Sequence, residues 1–204
     1  MFERLNNLPR LNSHVRFIHG CPDLGPINIY SEGKLLVGNL NFGGNTEYIL
    51  LPSKEYEVEI FRSSDNTKPI ATYKFEAIPN EFSTISLTCN NGTLFVLNLK
   101  DDSSEKDPKF SYIRFINISP NAPLLSLNLS NNRPIFSNVE FLEETRYYPL
   151  SPGLYNFNIS FSSFTKARKR LPRINLLPGE KYTMYIIGLL NGKPEVGYIL
   201  LKDG

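Results

Sequence analysis

Residues 16–25 of this 204-residue chain read RFIHGCPDLG, and residues 114–123 read RFINISPNAP. The echo runs through nearly the whole sequence. At an offset of 98, Arg16, Phe17, Ile18 and Pro22 meet Arg114, Phe115, Ile116 and Pro120. At an offset of 99, Asn39, Phe42, Thr46, Tyr48 and Leu51 meet Asn138, Phe141, Thr145, Tyr147 and Leu150. The same offset joins Tyr56, Ile60, Pro79, Glu81 and Thr84 to Tyr155, Ile159, Pro178, Glu180 and Thr183. One inserted residue near 33–38 accounts for the change of offset, and the ends agree too, LKDD at 99–102 against LKDG at 201–204. Such a period exceeds the roughly 20–50 residues of solenoid repeats and is the size of a domain.

Within each copy the apolar period is two. In EYEVEIF, Tyr56, Val58 and Ile60 alternate with Glu55, Glu57 and Glu59; in LYNFNISF, Tyr155, Phe157, Ile159 and Phe161 alternate with polar residues. This is the pattern of a strand with one face in a core and one in water. Further strands are expected near 14–19, 26–31, 34–37, 46–51, 70–76, 82–88 and 93–99, with counterparts in the second copy. Pro152-Gly153, Pro178-Gly179 and Pro79-Asn80 supply the fixed φ and left-handed tolerance that tight turns require. The one helical candidate is a turn or two within MFERLNNLPRL, which reads equally well as an unstructured arm. The predicted fold is therefore all-β: two tandem antiparallel, immunoglobulin-like β-sandwich domains at residues 12–100 and 110–204. The charged stretch KDDSSEKDPK supplies a linker at 101–109.

The pattern R-F-[IV]-[HN]-x-[SC]-P-[DN]-x-P, then an aromatic near N-x-x-F and a Y-x-x-L-x-P-G-x-Y-type strand entry, resembles a bacterial family of tandem β-sandwiches filed as domain of unknown function 4397. The matching residues are 15–61 in the first copy, 113–161 in the second, which is the poorer match, and the PGEKYT turn at 178–183. The resemblance implies the sandwich fold and no defined activity. It also implies kinship with proteins that are often secreted or wall-attached.

Few function classes are favoured by the bulk properties. A net charge of +2 gives no electrostatic case for nucleic acid or an anionic membrane. No stretch approaches the roughly 18 apolar residues of a membrane span. The N-terminus lacks the basic and apolar regions of a secretory signal, which makes the cytoplasm the default compartment and leaves surface or spore association open. Without such a signal the sequons at Asn91, Asn117, Asn128 and Asn158 are read as chance. Cys21 and Cys89 are too few for a disulfide framework.

Candidate chemistry centres on the first copy of the repeated phrase. A thiol beside an imidazole is a nucleophile arrangement, and His19, Cys21 and Asp23 are all zinc-ligand types. The second copy replaces them with Asn117, Ser119 and Asn121, which keep hydrogen-bonding ability but lose nucleophilicity and metal affinity. That substitution pattern favours a rigid turn over a reactive site. Arg16 and Arg114 are expected to point away from the sandwich cores, into a salt bridge or onto a tyrosine. Lys166, Arg168, Lys169, Arg170 and Arg173 form a basic cluster at a hairpin of the second copy alone, read as a solvated loop that could also take an anionic ligand. Tyr48, Tyr147 and Tyr148 are candidates for a carbohydrate platform.

The leading reading is a non-enzymatic structural or interaction module of a bacterial envelope or surface layer, with a protein or envelope polymer as partner. No nucleic acid, cofactor or metal is expected. The second reading is a carbohydrate- or anionic-polymer-binding module. The third is a metal- or thiol-dependent enzyme using His19, Cys21 and Asp23.

Overall fold

The computed structural model describes residues 11–104, 107–162 and 168–204. The expected helical turn or arm at residues 1–10 lies outside them. Among the described residues every regular element is a strand. The first half holds β1 (Asn12–His19), β2 (Ile27–Ser31), β3 (Lys34–Leu40), β4 (Ile49–Pro52), β5 (Glu55–Arg62), β6 (Ala71–Glu76), β7 (Phe82–Asn90) and β8 (Thr93–Asp101). In the second half, β9 (Ser111–Asn117), β10 (Leu125–Leu129), β11 (Pro134–Val139) and β12 (Tyr148–Leu150) come first. After them come β13 (Gly153–Tyr155), β14 (Phe157–Phe161), β15 (Arg168–Arg170), β16 (Ile174–Leu176), β17 (Lys181–Ile187) and β18 (Gly197–Lys202).

Each half is a sandwich of two four-stranded sheets. The first pairs β3-β2-β5-β6 with β4-β1-β7-β8, and the second pairs β11-β10-β14-β15 with β12-β9-β17-β18. Pairing is antiparallel except that β1 runs parallel to β7, and β9 parallel to β17. Tyr56, Val58 and Ile60 of β5 meet Val15 and Phe17 of β1 and Ile85 and Leu87 of β7 in the first core. Phe157 and Ile159 meet Phe115, Met184 and Ile186 in the second. The long alternating strand expected at 154–161 is broken at Asn156, because β13 leaves to pair with β16 while β14 pairs with β10 and β15.

The residues shared by the two copies serve bends and strand entries. Asn39 and Asn138 both take a left-handed backbone, at φ 52° and 56°, where the β2–β3 and β10–β11 ladders shift register. The hydroxyls of Thr46 and Thr145 accept the amide N–H of Phe17 and Phe115, at 3.0 and 2.9 Å. The phenols of Tyr56 and Tyr155 reach back four residues to the carbonyls of Pro52 and Ser151. Asn80 and Gly179 adopt the positive φ that the Pro-Asn and Pro-Gly pairs anticipate. Asn117, Asn128 and Asn158 of the sequons are buried.

A third core lies between the halves. Ile18 and Leu99 from the first half cluster with Ile116, Ile118, Tyr185, Ile187 and Ile199 from the second, flanked by Phe42, Leu97, Leu142 and Leu201. Alternation explains it. Val15 and Phe17 face the first core, so Arg16 and Ile18 face the opposite way, and Thr84, Ser86 and Thr88 do the same on β7. The outer face of the β4-β1-β7-β8 sheet packs against the outer face of the β12-β9-β17-β18 sheet, giving four layers. All seven residues of β17 are buried as a result. β1, β7, β9 and β17 are thus covered on both faces, unlike the half-buried β5.

Candidate functional site

The repeated arginines meet at the centre of that third core. Both are nearly solvent-free, Arg16 at 4% and Arg114 at 1% exposure. Arg16 Nε donates to Thr84 Oγ1 at 2.7 Å on the adjacent strand, and one terminal nitrogen donates to the carbonyl of Lys202 at 2.7 Å. Its other nitrogen binds Asp203 Oδ1 of the second half. Arg114 makes the matching set. Nε donates to Thr183 Oγ1 at 2.9 Å, and the terminal nitrogens bind the carbonyl of Lys100 at 3.0 Å and Asp101 Oδ1 of the first half at 2.6 Å. It also reaches Glu144 Oε1 at 2.9 Å.

Each carboxylate is held by its own half. Asp101 Oδ2 accepts the Tyr48 and Thr84 hydroxyls at 2.7 and 2.5 Å, and Asp203 Oδ2 accepts those of Tyr147 and Thr183 at the same distances. The guanidinium carbons of Arg16 and Arg114 stack 4.6 and 4.8 Å from the rings of Tyr48 and Tyr147. Two cations balance two anions in a space closed to water, which is the condition under which buried charge is tolerated. Burial, and then the neighbouring Asp101, hold the Asp203 carboxyl above its ordinary range. Burial and the same carboxylates push the Tyr48 and Tyr147 phenols upward, so both stay protonated donors. The Arg16 and Arg114 side chains therefore do point away from the sandwich cores, onto tyrosines and into ion pairs, but these contacts are interior rather than superficial. Tyr48 and Tyr147, candidates for a carbohydrate platform, are committed to this network. Tyr148 is exposed and packs edge-on against Phe136.

The turn after β1 explains the His-to-Asn exchange. His19 is fully buried; its Nδ1 accepts the Cys21 N–H at 3.2 Å, which leaves Nε2 to donate to the Gly25 carbonyl at 3.1 Å. In the second copy, Asn117 Oδ1 accepts the Ser119 N–H at 3.1 Å and Nδ2 donates to the Val139 carbonyl at 3.3 Å. The imidazole and the amide both accept the N–H two residues on, while their donors reach different carbonyls, Gly25 in the turn and Val139 on β11. Burial lowers the basicity of His19, keeping it neutral. With both ring nitrogens engaged, His19 contacts the backbone of Cys21 and not its thiol. Among the described residues no three His, Cys, Asp or Glu side chains converge as a metal site. Cys21 and Cys89 are free thiols that enter the same core cluster. Asp23 is exposed in the turn.

Of the basic cluster, Lys166 lies outside the described residues. Arg168 donates to Asn132 Oδ1 and Lys169 to the Val196 carbonyl, so both are partly committed to the fold. Arg170 and Arg173 are exposed on and beyond β15. Elsewhere, an open groove of about 940 Å³ lies in the first half, where Leu11, Leu36, Leu51, Pro52, Tyr56 and Pro79 line the gap between the edge strands β3 and β4. Lys54 and Glu32 pair at its rim at 2.5 Å, with Lys54 lying 4.8 Å over the Tyr56 ring.

Sequence reasoning missed Asp101 and Asp203 as partners of the repeated arginines. A signal existed, since they are the aspartates of the LKDD and LKDG echo; what the echo does not encode is that each serves the arginine of the other copy. The Cys21–Cys89 pair was also missed, because no local pattern announces a parallel pairing of strands 68 positions apart.

A family model of a domain of unknown function, DUF4397, matches residues 13–128. No curated protein matches the chain. Among solved structures, one described as "the Bacillus anthracis TIE protein" aligns over 92% of this chain at 12% identity with a TM-score of 0.27. This chain spans only 34% of that protein's length. A "putative cell adhesion protein" from Bacteroides ovatus aligns over 96% of this chain and 98% of its own, at 8% identity and a TM-score of 0.32. One of the same description from Bacteroides uniformis aligns over 95% and 96%, at 10% identity and a TM-score of 0.30.

Proposed function

The chain belongs to the DUF4397 family, and from that premise we propose that it is a non-enzymatic structural and interaction module of a bacterial envelope or surface layer. Its two copies, residues 12–100 and 110–204, are folding units that act as one rigid body. One observation carries this reading: the most strongly repeated polar residues, Arg16 and Arg114, are spent on binding the halves to each other. Next to them, His19 and Asn117 are spent on holding turns. Side chains consumed in this way are unavailable to a substrate, whereas a fixed spacing between two sandwiches is what a displayed scaffold needs.

The test is cell fractionation with a tagged full-length chain, followed by pull-down from envelope fractions. The reading expects the chain in the envelope fraction, bound to a protein or polymer that is recovered chemically unchanged. Confinement to the cytosol, or turnover of a bound compound, would overturn it. A second reading, binding to an anionic polymer, is favoured by the exposed Arg170 and Arg173 on the second half alone. It expects retention on a polyphosphate or teichoic-acid matrix that falls with salt and is lost in Arg170→Glu/Arg173→Glu.

A further inference from the structure

Cys21 and Cys89 are brought side by side by a ladder of constant register. The β1–β7 pairing runs from His14↔Phe82 to His19↔Leu87, and the Gly20 N–H extends it by bonding the Leu87 carbonyl at 2.6 Å. Carried two residues past the end of β1, that register would place Cys21 opposite Cys89. Neighbouring strands lie about 4.8 Å apart, inside the roughly 4.4–6.8 Å Cα separation that a disulfide spans. Both side chains enter the same core cluster.

The two sulfurs are not equivalent. Cys21 is fully enclosed, whereas Cys89 is 9% exposed and lines a small pocket of about 130 Å³ beside Asp23, Leu24, Arg62 and Gly92. The neighbouring Cys21 thiol, helped by the Asp23 backbone and opposed by burial, brings the Cys89 thiol down to about 7. The neighbouring Cys89 and burial push Cys21 up. The fold does not require sulfur here. Ser119 and Gly188 stand at the matching positions of the second half, closed by a hydrogen bond of 2.6 Å from Ser119 Oγ to the Gly188 carbonyl.

We propose that Cys21 and Cys89 form a reversible two-electron redox site for small hydroperoxides, with Cys89 as the attacking sulfur and Cys21 as the resolving one. The Cys89 thiolate attacks one peroxide oxygen; the O–O bond breaks, hydroxide leaves and takes up a proton, and Cys89 becomes a sulfenic acid. The Cys21 sulfur then attacks the Cys89 sulfur. The S–S bond forms as the S–O bond breaks, and the departing oxygen leaves as water with the Cys21 proton. Two thiols and one hydrogen peroxide give one disulfide and two waters, and a small dithiol reverses the change. The site stands independently of the proposed envelope role.

The test treats the full-length chain with a small excess of hydrogen peroxide, then alkylates and weighs it. The expected product is lighter by two hydrogens, has lost both alkylatable thiols, and yields a peptide joining Cys21 to Cys89. Dithiothreitol restores both thiols, and the oxidised form melts on the order of 10 °C higher. Cys21→Ser, which installs the residue already used at position 119, is expected to trap Cys89 as a sulfenic acid that dimedone labels several-fold more than in the native chain. Both thiols remaining alkylatable in a hundredfold peroxide excess would overturn the proposal. So would Cys89 over-oxidised beside an alkylatable Cys21, a cross-link between separate molecules, or equal dimedone labelling in the two proteins.

Discussion

Arg114→Ala removes a guanidinium that bridges the halves from a site with 1% exposure. Breaking one side of a buried ion pair costs roughly 3–5 kcal/mol, because the surviving charge is left without compensation. Asp101 keeps Arg16 at 3.5 Å and the Tyr48 and Thr84 hydroxyls, which places the loss near the lower end, about 3 kcal/mol. Glu144 is 44% exposed, so its bond to Arg114 adds no more than about 1 kcal/mol. At about 2–4 °C per kcal/mol for a chain of this size, the midpoint falls by roughly 6–16 °C. Arg16→Ala, which has no counterpart of Glu144, costs the same or up to about 1 kcal/mol less. Scanning calorimetry reads a second consequence: the native chain unfolds in one transition, and the variant in two as the halves uncouple. In a double-mutant cycle, Arg114→Ala with Asp101→Ala loses less than the sum of the singles by about 1–3 kcal/mol. A loss below about 1 kcal/mol for Arg114→Ala, with additive double variants, would show that the pairs behave as surface salt bridges and would refute the clamp.

Further expectations follow from the turn and from the contact between halves. The pKa of His19 is lowered by burial, so the unfolded chain binds more protons below its ordinary value of about 6.5; stability is present above that pH and is lost as pH falls through the folded value. His19→Asn, the solution used at Asn117, should flatten melting temperature against pH between about 6.5 and 5. The slope contributed by Asp203 has the opposite sign and cancels in the comparison; identical slopes in the two proteins would count against the buried neutral imidazole. Gly20→Ala places a Cβ 2.7 Å from Ile118 Cδ1 and 3.0 Å from the Leu87 carbonyl, and is expected to cost about 1–3 kcal/mol by denaturant unfolding. Adding Ile118→Val, which deletes the crowding methyl, should return part of that loss. Gly188→Ala has no such remedy: at φ 84° its Cβ would sit 2.3 Å from the Glu195 carbonyl, so a loss above about 3 kcal/mol and poor soluble yield are expected.

The strands were legible because each copy writes its inward face as alternating Tyr, Val, Ile and Phe, and because Asn39, Asn80 and Gly179 sit where left-handed backbone is needed. Duplication made the letters comparable, so the exchange of His19 for Asn117 could be read as a turn before any coordinates. Long-range pairing stayed hidden. Thr84, Ser86 and Thr88 are residue types that suit an exposed strand face, and nothing in their spacing marks them as interior. Only the second half, packed over them, turns that face into an interior that accepts guanidinium and carboxylate. The parallel β1–β7 register, which sets Cys21 beside Cys89, depends on a crossover through the whole outer sheet and leaves no trace in local spacing.

What the first copy lends to the second across the inter-half face, it gets back in kind: arginine for arginine, aspartate for aspartate. Such exchange is the contact rule of a two-fold homodimer, whose single patch is complementary to itself. A subunit carrying one copy of this surface would close on a second molecule of its own kind. Joining two subunits in one polypeptide replaces an encounter governed by protein concentration with an intramolecular one. Once covalently paired, neither partner has to remain identical: the thiols belong to the first half and the exposed arginines on and beyond β15 to the second.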